Sequence, residues 1–246
     1  MVALPKEWIE GRIDPTLAAI DRELERREAG QPRRTYLGAS QIGEPCERKL
    51  WYSIQPDVPR EAWEAATLRR FEDGHRSEAV MAERLRLVPG VELATVDANG
   101  EQFGFTDFGG RFQGHADGFI RGLLQAPVTP CVWEHKSVNE KRFAEFNKLK
   151  KNLDEKAVLQ AWDPVYYAQG VMYMGYFDLT RHYLTVSTPG CRDVQSCRTD
   201  ANPRMFDALR EKARRIIEAE APPARISERK EFYYCKWCQF REICHG

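Results

Sequence analysis

The 246-residue sequence predicts an α/β domain, and two groups of residues carry that prediction. The first is a set of strand patterns: residues 101–108 and 111–120 flank Gly109-Gly110 as the arms of a hairpin do, and residues 130–138 form a third apolar run. The second is residues 163–177, which begin with Asp-Pro and are apolar on most faces, as expected of a buried helix. Together with a strand pattern near residues 180–188, this order predicts a small mixed sheet flanked by helices.

The remaining segments are predicted to be helical. Residues 1–34 are charged and end at a Gly-Gln-Pro break, which indicates an N-terminal helical extension. Ser40 is a plausible N-cap for a helix that continues beyond Pro45. Residues 61–87 have helical periodicity, and residues 203–220 form a charged amphipathic pattern. We therefore expect the sheet to be preceded and followed by helices.

Composition narrows the class of protein. Hydrophobic residues make up 42% and charged residues 30% of the chain, as in ordinary globular enzymes. The 37 basic and 37 acidic residues cancel, which argues against a passive nucleic-acid coat protein. No apolar run approaches the roughly 20 residues that span a bilayer, and the N-terminus lacks the features of a signal peptide. A cytoplasmic protein without membrane contacts is expected.

Two of the strand patterns carry residues with catalytic potential, in GHADGF and VWEHKS. Alternate residues of a strand share a face, so His115 lies with Asp117, and Glu134 lies with Lys136. If the strands are neighbours, these side chains converge. Carboxylates and an imidazole suit Mg²⁺ or Mn²⁺, and a lysine beside them suits attack on a phosphodiester. The alternative is a solvated strand face that happens to read Glu-x-Lys.

The motif series GHADGF, WEHKS and AQGVMY resembles that of RecB-like PD-(D/E)XK nucleases, in particular the CRISPR-associated exonuclease branch. The resemblance implies a restriction-endonuclease-like core and a Gln-x-x-x-Tyr motif whose two side chains share a helix face. It implies that Asp117, Glu134, His115 and Glu78 are metal ligands. It also implies catalytic roles for Lys136, Gln169 and Tyr173, together with Asp117 and Glu134. The alternatives are a core aromatic at Tyr173, a buried histidine at His115, and either a solvated helix face at Glu78 or His75 in its place.

Seven cysteines in a protein expected to be cytoplasmic point to metal binding or burial, because disulfides are rare in a reducing compartment. Cys235, Cys238 and Cys244 follow a C-x2-C-x5-C spacing, which supplies three thiolates to one site. Cys46 or His245 is the candidate for the fourth ligand. Thiolates alone do not distinguish Zn²⁺ from an iron–sulfur cluster. The other three cysteines are interpreted as small core residues: Cys131, Cys191 and Cys197.

The same resemblance implies a [4Fe–4S] cluster held by one cysteine before the nuclease core and three after it, a layout that Cys46 and the three tail cysteines match. The domain organisation follows: a nuclease domain over residues 35–246, with residues 40–55 and 222–246 forming a helical subregion that carries the cluster. We expect this site to clip the C-terminal tail to the domain.

Residues 141–156 are basic and follow the predicted catalytic strand closely. Four of them are predicted to contact DNA phosphates: Arg142, Lys148, Lys150 and Lys151. Three nearby aromatic residues are expected either to stack on bases or to pack in the core: Phe143, Phe146 and Trp162.

These patterns lead to one expected function, a DNA exonuclease that uses Mg²⁺ or Mn²⁺ to hydrolyse phosphodiester bonds. The expected setting is phage or bacterial recombination, DNA repair or CRISPR adaptation, with partner proteins from those processes. One alternative keeps the fold and makes the chain a structure-specific endonuclease or nickase. Another is a non-catalytic DNA-binding subunit or adaptor that carries zinc or an iron–sulfur cluster.

Overall fold

The computed structural model describes residues 14–59 and 62–246, so the first part of the predicted N-terminal extension lies outside the described residues. The helices are α1 Pro15–Ala29, α2 Glu47–Ile54, α3 Ala65–Arg86, α4 Glu140–Asn152, α5 Val158–Trp162, α6 Pro164–Tyr176, α7 Pro203–Glu218, α8 Tyr233–Lys236 and α9 Arg241–His245. The strands are β1 Leu37–Gly38, β2 Glu92–Ala94, β3 Gly104–Asp107, β4 Phe112–His115, β5 Gly118–Arg121, β6 Cys131–Ser137, β7 Arg181–Ser187 and β8 Val194–Asp200. The predicted α/β class is confirmed.

Helix ends follow local chemistry. The Asp14 carboxylate caps α1 by accepting hydrogen bonds from the backbone N–H groups of Thr16 and Leu17. Asp163 caps α6 in the same way, and Pro164 occupies the first helical position. The prediction for Ser40 is wrong: it lies in a 3-10 turn, Ala39–Gln41, and α2 begins after Cys46 instead.

The strands form two sheets. Five strands pair in the order β2-β5-β6-β7-β8, with β6 and β7 parallel and the other pairs antiparallel. The predicted hairpin about Gly109-Gly110 is present, because β3 pairs antiparallel with β4 in a second sheet of order β1-β4-β3. Residues 111–120 were expected to form one strand. They form two, because the chain leaves the small sheet after β4 and joins the large sheet at β5.

The large sheet separates two apolar regions. The alternation along β6 places Val132 in the larger core with α6, and Cys131 and Trp133 in a smaller core with α3. Helix α6 buries eight consecutive residues, Tyr167–Met174, which confirms the prediction of a buried helix. Helix α7 covers it through four buried residues: Leu209, Ala213, Ile216 and Ile217. The sheet and α6 therefore meet at the middle of β6.

Among residues 14–59 and 62–246, no helix combines the length and the apolar character that crossing a membrane requires.

A buried histidine on β7 predicts acid sensitivity. His182 is 1% exposed, and burial lowers the pKa of its imidazole to about 3. The unfolded chain binds a proton at His182 below pH 6.5 while the folded chain does not, so this contribution to stability is lost as pH falls from 6.5 towards 3. Between pH 7 and pH 5 the loss is about 2 kcal/mol.

Replacing this histidine tests the effect. His182→Leu removes the titrating imidazole and places an apolar side chain at this buried position. Urea unfolding at pH 7 and pH 5 should show that the free energy of unfolding falls about 2 kcal/mol less in the variant than in the wild type. Equal losses in the two proteins would show that His182 does not drive the acid sensitivity.

Candidate active site

The start of β5 and the centre of β6 bring two carboxylates together. Gly118 pairs with Trp133, so Asp117 and Glu134 lie side by side on adjacent strands. The backbone N–H of Asp117 donates to Glu134 Oε1 at 3.2 Å, and the backbone N–H of His135 donates to Asp117 Oδ2 at 2.8 Å. Each strand thereby fixes the carboxylate of the other. The predicted convergence of Asp117 with Glu134 is present.

Glu134 lies at the centre of the arrangement. It is 2% exposed, and its Oε2 accepts hydrogen bonds from Lys136 Nζ at 2.8 Å and from Gln169 Nε2 at 3.1 Å. Burial raises the pKa of Glu134 to about 8, and the neighbouring Asp117 carboxylate adds to the rise. Holding both carboxylates ionised near neutral pH therefore needs positive charge in addition to Lys136.

Lys136 is positioned as a permanent cation. Burial lowers the pKa of its ammonium group, but the carboxylates of Glu134 and Asp117 outweigh burial, so its pKa is raised. Its Nζ also lies 5.5 Å from the centre of the Tyr166 ring. A protonated lysine beside paired carboxylates can offset negative charge on a phosphate.

Helix α6 supplies the third part of the site. Gln169 Nε2 donates to Tyr173 Oη at 3.1 Å as well as to Glu134, and Tyr173 Oη donates to the backbone carbonyl of His115 at 2.7 Å. Four residues along a helix place both side chains on one face, as predicted. Tyr173 is also part of the core, because it is 2% exposed. The hydroxyl therefore links α6 to the end of β4.

Asp117, Gln169 and Tyr173 border a cavity of about 630 Å³, whereas Glu134 and Lys136 are not among its lining residues. Six residues that the sequence analysis considered for catalysis or metal binding line the cavity: His75, Glu78, His115, Asp117, Gln169 and Tyr173. Burial and, to a smaller extent, the Asp117 carboxylate raise the pKa of Glu78 to about 7, although Lys136 opposes the rise. These interactions place a third carboxylate close to Asp117 and Lys136. His75 and Glu78 both face the cavity, one helical turn apart on α3.

Sequence patterns did not identify every lining residue. Arg34, in the loop before β1, and Gln102, in the loop before β3, also border the cavity. Gln102 Nε2 donates to the carbonyl of Ala116 at 3.2 Å, which holds the chain between β4 and β5. Both residues lie in irregular segments, where periodicity has no diagnostic value.

The donor set suits a hard divalent cation. Asp117, Glu134 and Glu78 supply carboxylate oxygens, which Mg²⁺ and Mn²⁺ prefer. Burial, with the charge of Asp117 as a smaller cause, raises the pKa of both glutamates. Within the described parts of the chain, no three His, Cys, Asp or Glu side chains are grouped closely enough to hold a metal ion as they stand.

The residues predicted to bind DNA lie outside the lining of this cavity. Arg142 forms ion pairs with Asp163 and Glu145, and Lys150 donates to Gln195 and to the carbonyl of Ser196. Lys148 and Lys151 are exposed on α4. Three aromatic residues were expected either to stack on DNA bases or to pack in the core. All three are buried in the core: Phe143, Phe146 and Trp162.

A second site forms where the C-terminal tail meets α2. One small pocket is lined by all four predicted thiol ligands and by His245: the thiols are Cys46, Cys235, Cys238 and Cys244. Burial raises the pKa of Cys235, and the three other thiols raise it further. Arg48 on α2 donates to the carbonyl of Pro223 at 2.5 Å and approaches Cys244 Sγ at 3.8 Å. Cysteines nearly 200 positions apart in the sequence therefore share one pocket.

The other three cysteines are buried, as predicted for small core residues: Cys131, Cys191 and Cys197.

Removal of the Tyr173 hydroxyl should lower the activity of the site without abolishing it. Tyr173→Phe keeps the ring in the core but removes the bonds to Gln169 and to the His115 carbonyl. In an assay of Mn²⁺-dependent DNA cleavage, the activity that this donor set favours, we expect the rate to fall about 10- to 100-fold and the half-maximal rate to require a higher Mn²⁺ concentration, as for other groups that orient metal ligands.

Tyr176→Phe is the matched control. It removes a partly buried hydroxyl from the same helix, one that donates to Asp107 at 2.6 Å and does not border the cavity. This variant should keep the wild-type Mn²⁺ titration. Identical Mn²⁺ titrations for Tyr173→Phe and the wild type would contradict an orienting role for Tyr173.

Comparison with solved structures places the fold. The protein of the structure titled SSO0001 is 14% identical, with a TM-score of 0.50 over 95% of this chain and 97% of that one. The alkaline exonuclease LHK-Exo from Laribacter hongkongensis is 12% identical, with TM-scores of 0.50, and of 0.51 in its complex with dAMP, over 75% of this chain and 87% of that one. At these identities the likeness shows a shared α/β fold. No protein-family model matches the chain, and no curated protein is similar to it.

Proposed function

We propose that the protein is a metal-dependent deoxyribonuclease that hydrolyses phosphodiester bonds in DNA. The observation that carries the proposal is the hydrogen-bonded network of Asp117, Glu134, Lys136 and Gln169, in which Asp117 and Gln169 line an open cavity. Paired carboxylates and a protonated lysine are the groups that metal-assisted attack on phosphate needs. The fold shared with an alkaline exonuclease agrees with this chemistry.

Each residue has a distinct part in the proposed reaction. Asp117, Glu134 and Glu78 would hold Mg²⁺ or Mn²⁺, with His115 as a further ligand. The bound ion supplies a water of lowered pKa and polarises the phosphate. Lys136 stabilises the negative charge that builds on the phosphate oxygens. Gln169 donates to Glu134 and Tyr173, and Tyr173 anchors the strand end that carries His115.

Among nucleases, we propose exonuclease action. The solved structures with comparable folds include one titled an alkaline exonuclease, which was also solved in complex with dAMP. The setting we propose is phage or bacterial recombination, DNA repair or CRISPR adaptation, with partners drawn from those processes. A structure-specific endonuclease with the same site is the competing activity.

End-labelled linear DNA and covalently closed circular DNA distinguish these activities. We expect Mg²⁺ or Mn²⁺ to support progressive loss of linear DNA while the closed circle stays intact. Nicking or linearisation of the circle would assign the site to an endonuclease. Binding of DNA with no cleavage of any substrate by either metal would instead support a non-catalytic DNA-binding subunit.

We further propose that the four thiols of the tail pocket bind one metal centre, a [4Fe–4S] cluster rather than Zn²⁺. The support for a metal centre is that Cys46 and the three tail cysteines line one pocket, and the choice of a cluster rests on the motif resemblance. The same four thiolates also satisfy Zn²⁺. Metal analysis and the visible absorption of anaerobically purified protein decide between them: iron with sulfide and a brown colour support the cluster, and colourless zinc protein contradicts it.

A further inference from the structure

The most exposed aromatic side chains of the described residues lie on the C-terminal tail. Trp237 is 78% exposed and Tyr233 is 73% exposed, while other exposed aromatics such as Trp63 and Phe71 are only about half exposed. Burial of aromatic rings is strongly favoured in water, so rings left this open mark a contact surface. The tail is not a loose end, because Cys235 and Phe240, on either side of Trp237, are buried.

Basic residues lie next to these rings in the sequence. Arg229, Lys230 and Lys236 are exposed, and Lys236 Nζ lies 4.9 Å from the centre of the Trp237 ring. Residues 225–246 contain five basic and three acidic side chains, in a chain whose net charge is zero. The ion pair between Glu228 and Arg225 removes one charge of each sign, which leaves four basic side chains against the exposed Glu231 and Glu242. The tail is therefore a local basic surface with open aromatic faces.

Single-stranded nucleic acid is the ligand that uses both the exposed rings and the cations. Exposed rings stack on unpaired bases, and neighbouring cations bind the phosphates that connect those bases. An apolar protein partner would leave Lys230 and Lys236 unmatched, and double-stranded DNA would leave the rings without bases to stack on.

The tail also lies close to the catalytic cavity. Ser40 lines that cavity, and Cys46 lines the thiol pocket together with Tyr234, the neighbour of Tyr233. Six residues of fully extended chain reach about 20 Å, which sets the upper limit on the distance from Ser40 to Cys46. A strand that leaves the cavity can therefore reach the tail within a short oligonucleotide.

We propose that Tyr233, Trp237 and the cations Arg229, Lys230 and Lys236 form a second binding surface for single-stranded nucleic acid, here called the tail surface. The proposal extends the proposed nuclease function, because it adds a place where the strand is held outside the cavity. Binding at the tail surface does not require cleavage, so the two proposals can fail separately.

The test measures binding with cleavage disabled. In a Glu134→Gln background, without chelator, fluorescence anisotropy reports the affinity for labelled oligo(dT) about 20 nucleotides long, longer than typical single-strand site sizes. Combined Tyr233→Ala and Trp237→Ala should weaken binding about tenfold or more, since each stacked base contributes substantially. Trp237→Phe, which keeps an aromatic face, should restore most of the affinity lost in Trp237→Ala. Lys236→Ala should reduce the salt dependence of binding.

Two controls separate the tail surface from the catalytic site and from general damage. Leu124→Ala removes an apolar side chain that is 80% exposed on another loop, and it should bind oligo(dT) as the parent does. With an intact Glu134, the tail variants should still hydrolyse thymidine 5′-p-nitrophenyl phosphate at the wild-type rate, because this substrate is too small to reach the tail.

Unchanged oligo(dT) affinity in the double variant would overturn the proposal, as would an equal loss in Leu124→Ala. Unchanged affinity combined with dissociation of an oligomer in sedimentation experiments would assign the rings to a contact between copies of the chain. Failure of the wild type to cleave any DNA would contradict the nuclease assignment while leaving the binding result valid.

Discussion

Glu134→Gln and Lys136→Met are each expected to reduce metal-dependent DNA cleavage by about 10²–10³-fold or more, the loss typical of removing one preorganised electrostatic contact. Glu134 has the strongest claim, since Asp117, Lys136 and Gln169 all bond to its carboxylate. The glutamine keeps the size of the side chain but loses the charge that a divalent cation requires. Single-turnover cleavage of end-labelled DNA measures the effect.

The stability of these variants should not follow their activity. Glu134→Gln removes a carboxylate whose ionised form burial disfavours, but it also removes the ion-pair partner of Lys136. Because these two effects oppose each other, we expect Glu134→Gln to unfold at a urea concentration close to that of the wild type when both are free of divalent metal. Loss of activity together with loss of folding would remove the support for a catalytic role.

Glu140→Gln and Lys141→Met are the matched controls, because they make the same chemical changes at exposed positions of α4, just beyond β6. Both should cleave DNA at the wild-type rate. A catalytic pair at Glu134 and Lys136 is contradicted if their variants cleave as well as these controls do.

Cys46→Ser should release the C-terminal tail and lower stability. The tail residues between Pro222 and Gly246 bury few side chains, so their attachment depends on the shared thiol pocket, on Arg48 and on Phe240, whose ring centre is 5.5 Å from that of Tyr52. A bound group at a thousandfold excess over its Kd contributes about 4 kcal/mol to the folded state, and loss of one ligand removes most of it. Metal content and the free energy of unfolding should fall together, and limited proteolysis should cut near residue 222.

Cys131→Ala provides the comparison for this variant. It likewise removes one thiol, in this case a buried one in the smaller core beside Trp133. The control should keep the full metal content and a protease-resistant tail. If Cys46→Ser binds as much metal as this control, then Cys46 is not a ligand and His245 becomes the candidate for the fourth position.

The sequence by itself determined the local features. The hairpin at Gly109-Gly110, the start of α6 at Asp163-Pro164 and the burial of that helix depend on turn chemistry and periodicity within a few residues. The residue types of the candidate active site were also predicted from the sequence, because two carboxylates and a lysine on neighbouring strands suit only a few reactions. Their convergence followed once two neighbouring strands were assumed.

The tertiary structure decided what depends on contacts between distant segments. A single strand over residues 111–120 fitted the local pattern, but pairing with β6 draws β5 into the large sheet while β4 stays with β3. Arg34 and Gln102 reach the cavity from loops, and Arg142 forms an ion pair with Asp163. The exposure of Trp237 and the meeting of Cys46 with the tail are likewise outcomes of packing. Periodicity reports which face of an element is buried, whereas the partner that buries it is selected by the free energy of the whole fold.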